Sequence, residues 1–449
     1  MNKEDLTKGS ISKHIKNIAV PAAIGFIFQT FYNLIDTFYA GKISVDALSA
    51  MTVSMPIFFI IISLGSGIGI GMNTLVGNLL GENKKIDAQK QIAQGIILVL
   101  FLSIFLVLIG IFFTKPILDL LHLNLEVFRL TLDYVYILYI GIPFILFINL
   151  LNSILISRGD SKTFRNLVVI GVITNIILDP LFMNGFWIIP SMGLKGIAFA
   201  TILINFIKFL ILLLIILKDP FFRQIKLKYF IPKIKNYMII LKYSLPASFS
   251  NIILSLSSII LIYFLSFFGN EVIAAVGVSS RIEQIIITPL IGLVMALIAI
   301  VSQNNGAKNI IRIKETINKS FKYSFLIIGL FSVILFIFSK YAIIIFSKDL
   351  SVITIGVKII RITILSVFSE IIFMISAYTL QAFKKPGFLL WGSFFKKIIF
   401  LIIGCFFVVF ILDFGIYSIF WVNFIISWFF AFYSYFYMKK HLLYKEQKI

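Results

Sequence analysis

The sequence predicts an all-α integral membrane protein with twelve transmembrane helices in two pseudo-twofold-related six-helix lobes. Of the 449 residues, 60% are hydrophobic and only 13% are charged, and the mean hydropathy is +1.05. A water-soluble fold cannot hide that much apolar surface. The apolar runs also approach the roughly 20 residues that a membrane-spanning helix needs, whereas barrel strands would alternate over about ten residues.

Twelve apolar segments follow one another along the chain. Six precede the basic stretch near residue 230 and six follow it: 18–41, 47–73, 92–113, 131–156, 164–183, 194–217, 238–268, 272–301, 321–346, 351–383, 388–412 and 415–438. We therefore expect an N-terminal six-helix lobe at 1–217 and a cytoplasmic linker at 218–242. A C-terminal six-helix lobe with a cytoplasmic tail is expected at 243–449.

The second half of the chain repeats the first. A shift of 225 residues places Pro246 on Pro21 and Val301–Lys308 on Val76–Asn83. Six helices repeated in the same orientation are typical of two-lobed transporters that rock about a central cavity. Chance similarity between apolar sequences is the alternative explanation of the repeat.

The distribution of positive charge predicts the orientation. Most of the 40 Lys and Arg residues lie in the N-terminal arm, the even-numbered connections and the C-terminal tail. Six lie within the apolar segments, most of them near enough to a helix end for the side chain to extend to the membrane surface: Lys208, Arg281, Lys358, Arg361, Lys396 and Lys397. The positive-inside rule therefore places both termini in the cytoplasm of a cell-membrane protein. We expect the first helix to stay as a span, because no cleavage site follows it. The net charge of +21 then reflects this bias and contact with anionic lipid, which excludes a nucleic-acid partner.

The cysteine and histidine counts predict no resident cofactor. Cys405 is the single cysteine and can form no internal disulfide. The three histidines, His14, His122 and His441, are too scattered to hold a metal. A glycine series in the second apolar segment lacks the strand and the lysine of a phosphate loop, so we expect it to let helices approach closely: Gly65, Gly67, Gly69 and Gly71.

Two acids inside apolar helices are the strongest functional signal. Asp36 lies within Phe26–Gly41, and Asp179 follows Asn175 by one helical turn, so the side chains of these two residues point the same way. A charged residue at the bilayer centre costs about 2.5–3.5 kcal/mol on insertion scales, so its default interpretation is functional. Either acid alone is also compatible with a packing role.

The two acids are predicted to share one site. Both helices run outward, and each acid lies four or five residues before its helix ends, so the carboxylates reach the same depth. Two carboxylates at low dielectric cannot both stay ionised cheaply; one holds a proton, or a cation such as Na+ binds between them. Asn175 and Tyr32 fit either outcome, and Thr201 is a weaker candidate. The 225-residue shift gives Asp36 and Asp179 no acidic counterpart.

An ordered set of motifs resembles the multidrug and toxic compound extrusion (MATE) family over essentially the whole chain. The set comprises Pro21, QTFYNLIDTFYAG at 29–41, LVGNLLGENK at 75–84, SRGDSKT at 157–163, SRIEQIIITP at 280–289 and VSQNNGAKN at 301–309. Its acids are similar to the DinF and MepA branch, which carries an Asp in helix 1 and an Asn with an Asp in helix 5. The resemblance implies a multidrug efflux antiporter, driven by H+ or Na+, for organic and often cationic drugs.

One departure concerns the NorM branch, which places cation-binding acids in helices 7 and 10. Helix 7 has no acid here, so a NorM-type sodium site in the C-terminal lobe is in doubt. Glu283 and Glu370 remain as substrate-binding candidates that attract a cationic drug, or as partners of Arg281. Gln29 and Asn33, within the helix 1 motif, are further substrate-binding candidates.

Two other functions stay open on the sequence. A flippase for a lipid-linked cell-envelope precursor needs Arg or Lys in helices 1, 2, 7 and 8 to neutralise pyrophosphate, and little is present there. A membrane-embedded transferase needs a well-placed His or acid pair. We therefore predict a monomeric transporter, not an enzyme, whose partners are drugs and membrane lipids.

Overall fold

The computed structural model describes residues 5–119, 124–187, 190–346 and 349–446. Within these ranges eleven helices are long and apolar enough to cross a membrane. A twelfth span is made by Leu125–Ile140 and Ile142–Ser157, which meet at an angle of 47°. The structure thus confirms the predicted all-helical, multi-pass class.

The first half of the chain contains α1 to α7. They cover Ile11–Ile43, Val45–Gly81, Lys85–Asp119, Leu125–Ile140, Ile142–Ser157, Lys162–Asn184 and Leu194–Lys218. A short α8 at Pro220–Arg223 and a 3₁₀ turn at Leu227–Phe230 follow.

The second half contains α9 to α15. They cover Ile234–Ser266, Asn270–Gly306, Ile310–Ile344, Leu350–Ala382, Gly387–Phe394, Phe400–Phe406 and Tyr417–Glu446. Two π-helical turns, Phe395–Ile399 and Phe407–Ile411, continue α13 and α14.

Two predicted spans are not single regular helices. The segment 131–156 is the bent pair α4 and α5, because Gly141 ends the first helix and a proline, Pro143, stands in the first turn of the second. The segment 388–412 is interrupted by the π turns. Hydropathy finds the apolar length of a span but carries no information on such local irregularities.

The chain divides into two compact units. The N-terminal unit contains Ile24–Leu80 and Lys84–Ser248, and the C-terminal unit contains Met1–Ala23, Gly81–Asn83 and Phe249–Ile449. The division passes through α1 and α9 and cuts off the last residue of α2, so α1 and α9 each contribute several turns to both units.

The N-terminal unit is held by helix pairs that pack closely: α6 with α7, α3 with α5, and α4 with α7. The glycine series of α2 serves two neighbours. A Cβ on Gly67 or Gly71 would collide with a serine of α9, whereas a Cβ on Gly65 or Gly69 would collide with α5. The predicted close approach of helices at these glycines is confirmed.

In the C-terminal unit, α10 and α15 pack on α12. The N-terminal arm also belongs to this unit, where Arg312 of α11 holds its backbone. The guanidinium donates to the carbonyl oxygens of Leu6, Lys8 and Gly9 at 3.1, 3.1 and 2.7 Å. The arm is therefore anchored by hydrogen bonds as well as by the buried Leu6.

Candidate functional site

One amide joins the two predicted acids in the N-terminal unit. Nδ2 of Asn175 donates to Oδ1 of Asp36 at 2.8 Å and to Oδ1 of Asp179 at 2.8 Å. All three side chains are buried, with Asn175 and Asp179 fully inaccessible. The structure therefore brings together the acids of helices that are more than a hundred residues apart in sequence. We call this group the paired-acid cluster: Asp36, Asn175 and Asp179.

The local sequence of α6 builds half of the cluster. Asn175 and Asp179 are one turn apart, so helical geometry alone places them side by side. Pro180 follows directly and has no N–H to donate to the carbonyl of Ile176. The hydroxyl of Tyr39 on α1 donates to that carbonyl at 3.4 Å. The proline thus creates a second polar contact between α1 and α6.

A second layer of polar groups surrounds the cluster. The hydroxyl of Tyr32, one turn before Asp36, donates to Oγ1 of Thr201 on α7 at 3.3 Å. Nζ of Lys208, also on α7, lies 5.3 Å from the centre of the Tyr32 ring. Tyr134 of α4 is also buried, within electrostatic range of both carboxylates. Four helices, α1, α4, α6 and α7, therefore supply side chains to one region.

Lys208 corrects an expectation from the sequence. We expected the lysines within helices to extend toward a membrane surface, yet the Lys208 side chain is buried, only 6% exposed. It lies in the interior of α7, which continues to Lys218. A distance of ten residues from the helix end was a usable sign that Lys208 faces inward.

The cluster has unused acceptors. Within the described residues, Oδ1 of Asn175 and Oδ2 of Asp179 are buried and accept no hydrogen bond. Buried oxygen atoms without partners cost free energy unless a proton or a cation satisfies them. Carboxylate and amide oxygens are the donors that hard cations prefer. The arrangement can therefore hold one proton or one small cation.

The remaining N-terminal candidates, Gln29 and Asn33, make no hydrogen bond to this cluster within the described residues. Gln29 stands two turns before Asp36 and is half-buried, whereas Asn33 is exposed. Their predicted roles in substrate binding stay predictions. In the described part of the chain, no group of three or more His, Cys, Asp and Glu side chains is arranged to hold a metal. His122, one of the three histidines that the sequence analysis judged too scattered to hold a metal, lies outside the described residues.

The C-terminal unit holds a separate ionic group. Oε1 of Glu370 on α12 accepts from Nζ of Lys396 at 2.8 Å and from Nζ of Lys397 at 2.8 Å. We expected a cationic drug or Arg281 to face Glu370, and both lysines to extend to a surface. The structure instead buries the Lys396 side chain completely, and the ion pair with Glu370 compensates the cost of burying its charge. Glu283 of α10 lies beside Thr363 and near Lys397.

The family is decided by a profile match. The MatE profile matches residues 21–181 and again residues 246–407. The chain belongs to the MatE family. The two matches start 225 residues apart, at Pro21 and Pro246, which confirms the repeat and its offset. MATE proteins are membrane transporters, so the chain is not an enzyme.

Several proteins are similar to this MatE chain over most of its length. "Probable multidrug resistance protein YoeA" of Bacillus subtilis is 26% identical over 391 residues, which cover 86% of this chain and 84% of that protein. The FAD transporter of Shewanella oneidensis is 27% identical over 325 residues, covering 72% and 71%. A crystal structure of a MATE transporter in complex with MaL6 matches 100% of both chains with a TM-score of 0.92 and 22% identity, which shows a shared fold.

Proposed function

We propose that this MATE multidrug efflux transporter exports small organic compounds, often cationic ones, by antiport with H+ or Na+. The observation that supports this best is the paired-acid cluster. Two buried carboxylates share one amide donor in an apolar unit, and two oxygens of the cluster have no hydrogen-bond partner among the described residues. Polar groups of this kind inside a membrane are expensive unless they serve transport.

The charge of the region favours one monovalent cation. With Asp36 and Asp179 ionised and Lys208 charged, the three side chains carry one net negative charge. One H+ or Na+ neutralises it, and the buried region then loses its electrostatic penalty. Binding of the coupling ion therefore lowers the free energy of the protein most when the site is closed from water.

In the proposed cycle, this charge change determines whether the drug site faces the outside or the inside of the cell. An ion enters the paired-acid cluster from outside, α1 and α6 adjust around Asn175, and the outward-facing state loses affinity for drug. Return to the inward-facing state releases the ion. α1 suits this role because it carries Asp36, contains Pro21 and contributes to both units.

A cationic drug would find its charge partner at Glu283. This carboxylate lies inside α10, and no ion pair joins it to a lysine or arginine in the described part of the chain. We expect Glu283→Gln to lower export of cationic drugs relative to neutral drugs, while ion coupling persists. Paired efflux measurements of one cationic and one neutral dye test this, and an unchanged ratio contradicts it.

The proposed setting is a cell membrane with both termini in the cytoplasm and a monomeric chain. The names of relatives support multidrug export: one is a probable multidrug resistance protein and another is a multidrug export protein, MepA. The flippase alternative gains no specific support from the residues of α1, α2, α9 or α10.

The ion and the direction of transport are tested in proteoliposomes loaded with ethidium or norfloxacin. Efflux is followed under an inward proton gradient, under an inward sodium gradient and without a gradient. The proposal expects drug movement against its gradient with one of the two ions. Equal efflux rates in all three conditions would contradict the antiport mechanism.

A further inference from the structure

Two lysines and one glutamate share a single oxygen atom inside the C-terminal unit. Both ammonium groups, of Lys396 and Lys397, lie 2.8 Å from Oε1 of Glu370. One carboxylate cannot neutralise two ammonium groups, so this trio carries one net positive charge. The trio lies within apolar spans, Leu350–Ala382 and Gly387–Ile411, where an excess charge is costly without a purpose.

The backbone explains how consecutive residues reach one oxygen. Successive side chains on a regular α-helix diverge by about 100°, since the helix has 3.6 residues per turn. Lys396 and Lys397 stand instead in the π-helical turn Phe395–Ile399, which changes the angular spacing of the residues along this helix. Such turns cost stability and occur frequently at functional sites.

The two lysines differ in what else they contact. Nζ of Lys396 also lies 4.5 Å from the centre of the Phe373 ring, and its side chain is wholly buried. The side chain of Lys397 is 20% exposed and that of Glu370 is 19% exposed. Lys396 is thus held on two sides, whereas Lys397 remains partly accessible.

Glu283 is the other acid of this region, but in the described part of the chain it forms no ion pair that would offset the positive charge of the trio. Its carboxylate lies beside Thr363 on α12. No ion pair connects it to Lys396 or Lys397 among the residues that the structure describes. Glu283 lies within electrostatic range of Lys397 but makes no ion pair with it, so among the described residues the Lys397 ammonium group contacts a single carboxylate, that of Glu370.

We propose that Lys397 binds the carboxylate of an acid-bearing organic substrate, for which Glu370 is the resident competitor. The inference rests on the proposed transport function and narrows its substrate class to compounds that include zwitterions. Glu370 keeps the ammonium groups paired when no substrate is bound, and the substrate carboxylate takes over one of these bonds. Charge-assisted hydrogen bonds of this type are the strong ones in proteins.

The test uses two dyes that differ by one group: tetramethylrhodamine, which has a free carboxylate, and its methyl ester, which is a cation. Binding of each dye to the purified full-length protein in detergent is followed by fluorescence polarisation, without any ion gradient. Failure of transport in proteoliposomes therefore leaves this measurement unaffected. The variants are Lys397→Gln and Glu370→Gln, with Lys358→Gln as control, because Lys358 is an exposed lysine on the same helix as Glu370.

The proposal expects opposite effects from the two variants. Lys397→Gln weakens binding of the acid by about tenfold or more, the factor that one charge-assisted hydrogen bond gives, and leaves the ester unchanged. Glu370→Gln removes the competitor and strengthens binding of the acid. Lys358→Gln changes neither dye.

Two results would overturn it. One is an acid-to-ester affinity ratio that stays at the parental value in Lys397→Gln. The other is a Glu370→Gln protein that loses the ester selectively, since Glu370 would then attract cations. Should Glu370→Gln not purify as a monodisperse protein, Lys397→Gln decides alone, because it retains the buried pair of Lys396 and Glu370.

Discussion

Asn175 is the residue on which the geometry of the paired-acid cluster depends. Its single amide nitrogen donates to a carboxylate on its own helix and to one on α1, at 2.8 Å each. Without this donor, both carboxylates would lose a buried hydrogen bond in a region with few alternatives.

We predict that Asn175→Ala lowers gradient-driven drug efflux by at least about tenfold, since two buried carboxylates each lose a bond worth roughly 1.5–3 kcal/mol. Asn166→Ala is the matched control, because Asn166 is exposed on the same helix and its side-chain oxygen accepts from the neighbouring Arg165. Initial efflux rates in vesicles at equal protein level measure the effect. Equal rates for the two variants would make Asn175 a packing residue.

Sequence reasoning predicted the acids of the cluster but not all of their surroundings. Asn175 and Asp179 were predictable because a spacing of four residues fixes a common helix face, and depth placed Asp36 at the same level. Lys208 and Lys396 were not, because a long lysine side chain reaches either a membrane surface or a buried partner. Only tertiary packing decides between these two outcomes.

At the scale of elements, the glycines of α2 allow close helix approaches in the N-terminal unit. Gly67 and Gly71 point at α9, and Gly65 and Gly69 point at α5. The sequence predicted this packing from the spacing of small residues. It did not predict which helices pack there, because residue spacing identifies the helix face that carries the glycines but not the helix that packs against it.

We predict that Gly67→Ala destabilises the protein by roughly 1–3 kcal/mol, the usual cost of overpacking, because the added methyl group meets backbone atoms of Ser248. Gly277→Ala is the control: its added Cβ meets nothing within 4 Å, and alanine favours a helix more than glycine does. Thermal unfolding in detergent compares the two. A Gly67→Ala protein as stable as Gly277→Ala would show that α9 can yield here.

The bend between α4 and α5 and the π turns after α13 are the elements that the sequence did not predict. Apolar composition is the same in a straight and an interrupted span, so hydropathy gave one segment in each place. Gly141 and Pro143 lie at the bend between α4 and α5 and are the sequence features that accompany it. In the second, nothing in residues 395–399 distinguishes a π turn from an α-helix by residue type.

At the scale of the whole molecule, the number of spans and the repeat were predictable because each depends only on length, apolarity and register. Which residues belong to each compact unit was harder to predict from the sequence. Residues up to Ala23 group with the C-terminal half of the chain, although α1 continues without a break. Contacts over some 300 residues, such as that of Arg312 with Leu6, determine this grouping.

The orientation yields its own prediction. In a Cys405→Ala background, a cysteine at Lys42 reacts with an impermeant maleimide in intact cells, whereas a cysteine at Lys226 reacts only after lysis. Both positions are exposed in the structure. The positive-inside distribution is the physical reason, since basic loops remain in the cytoplasm. Labelling of position 226 in intact cells would reverse the orientation.

The central claim is that Asp36 and Asp179 couple drug export to an ion, and the most direct test is ion flux in proteoliposomes that contain Asp36→Asn or Asp179→Asn. Both substitutions keep the shape of the side chain and remove its ionisable group. The account predicts that each variant still binds drug at equilibrium, while drug-induced proton or sodium flux and efflux against a gradient disappear. Parental flux and efflux in both variants, at equal protein level, would contradict it.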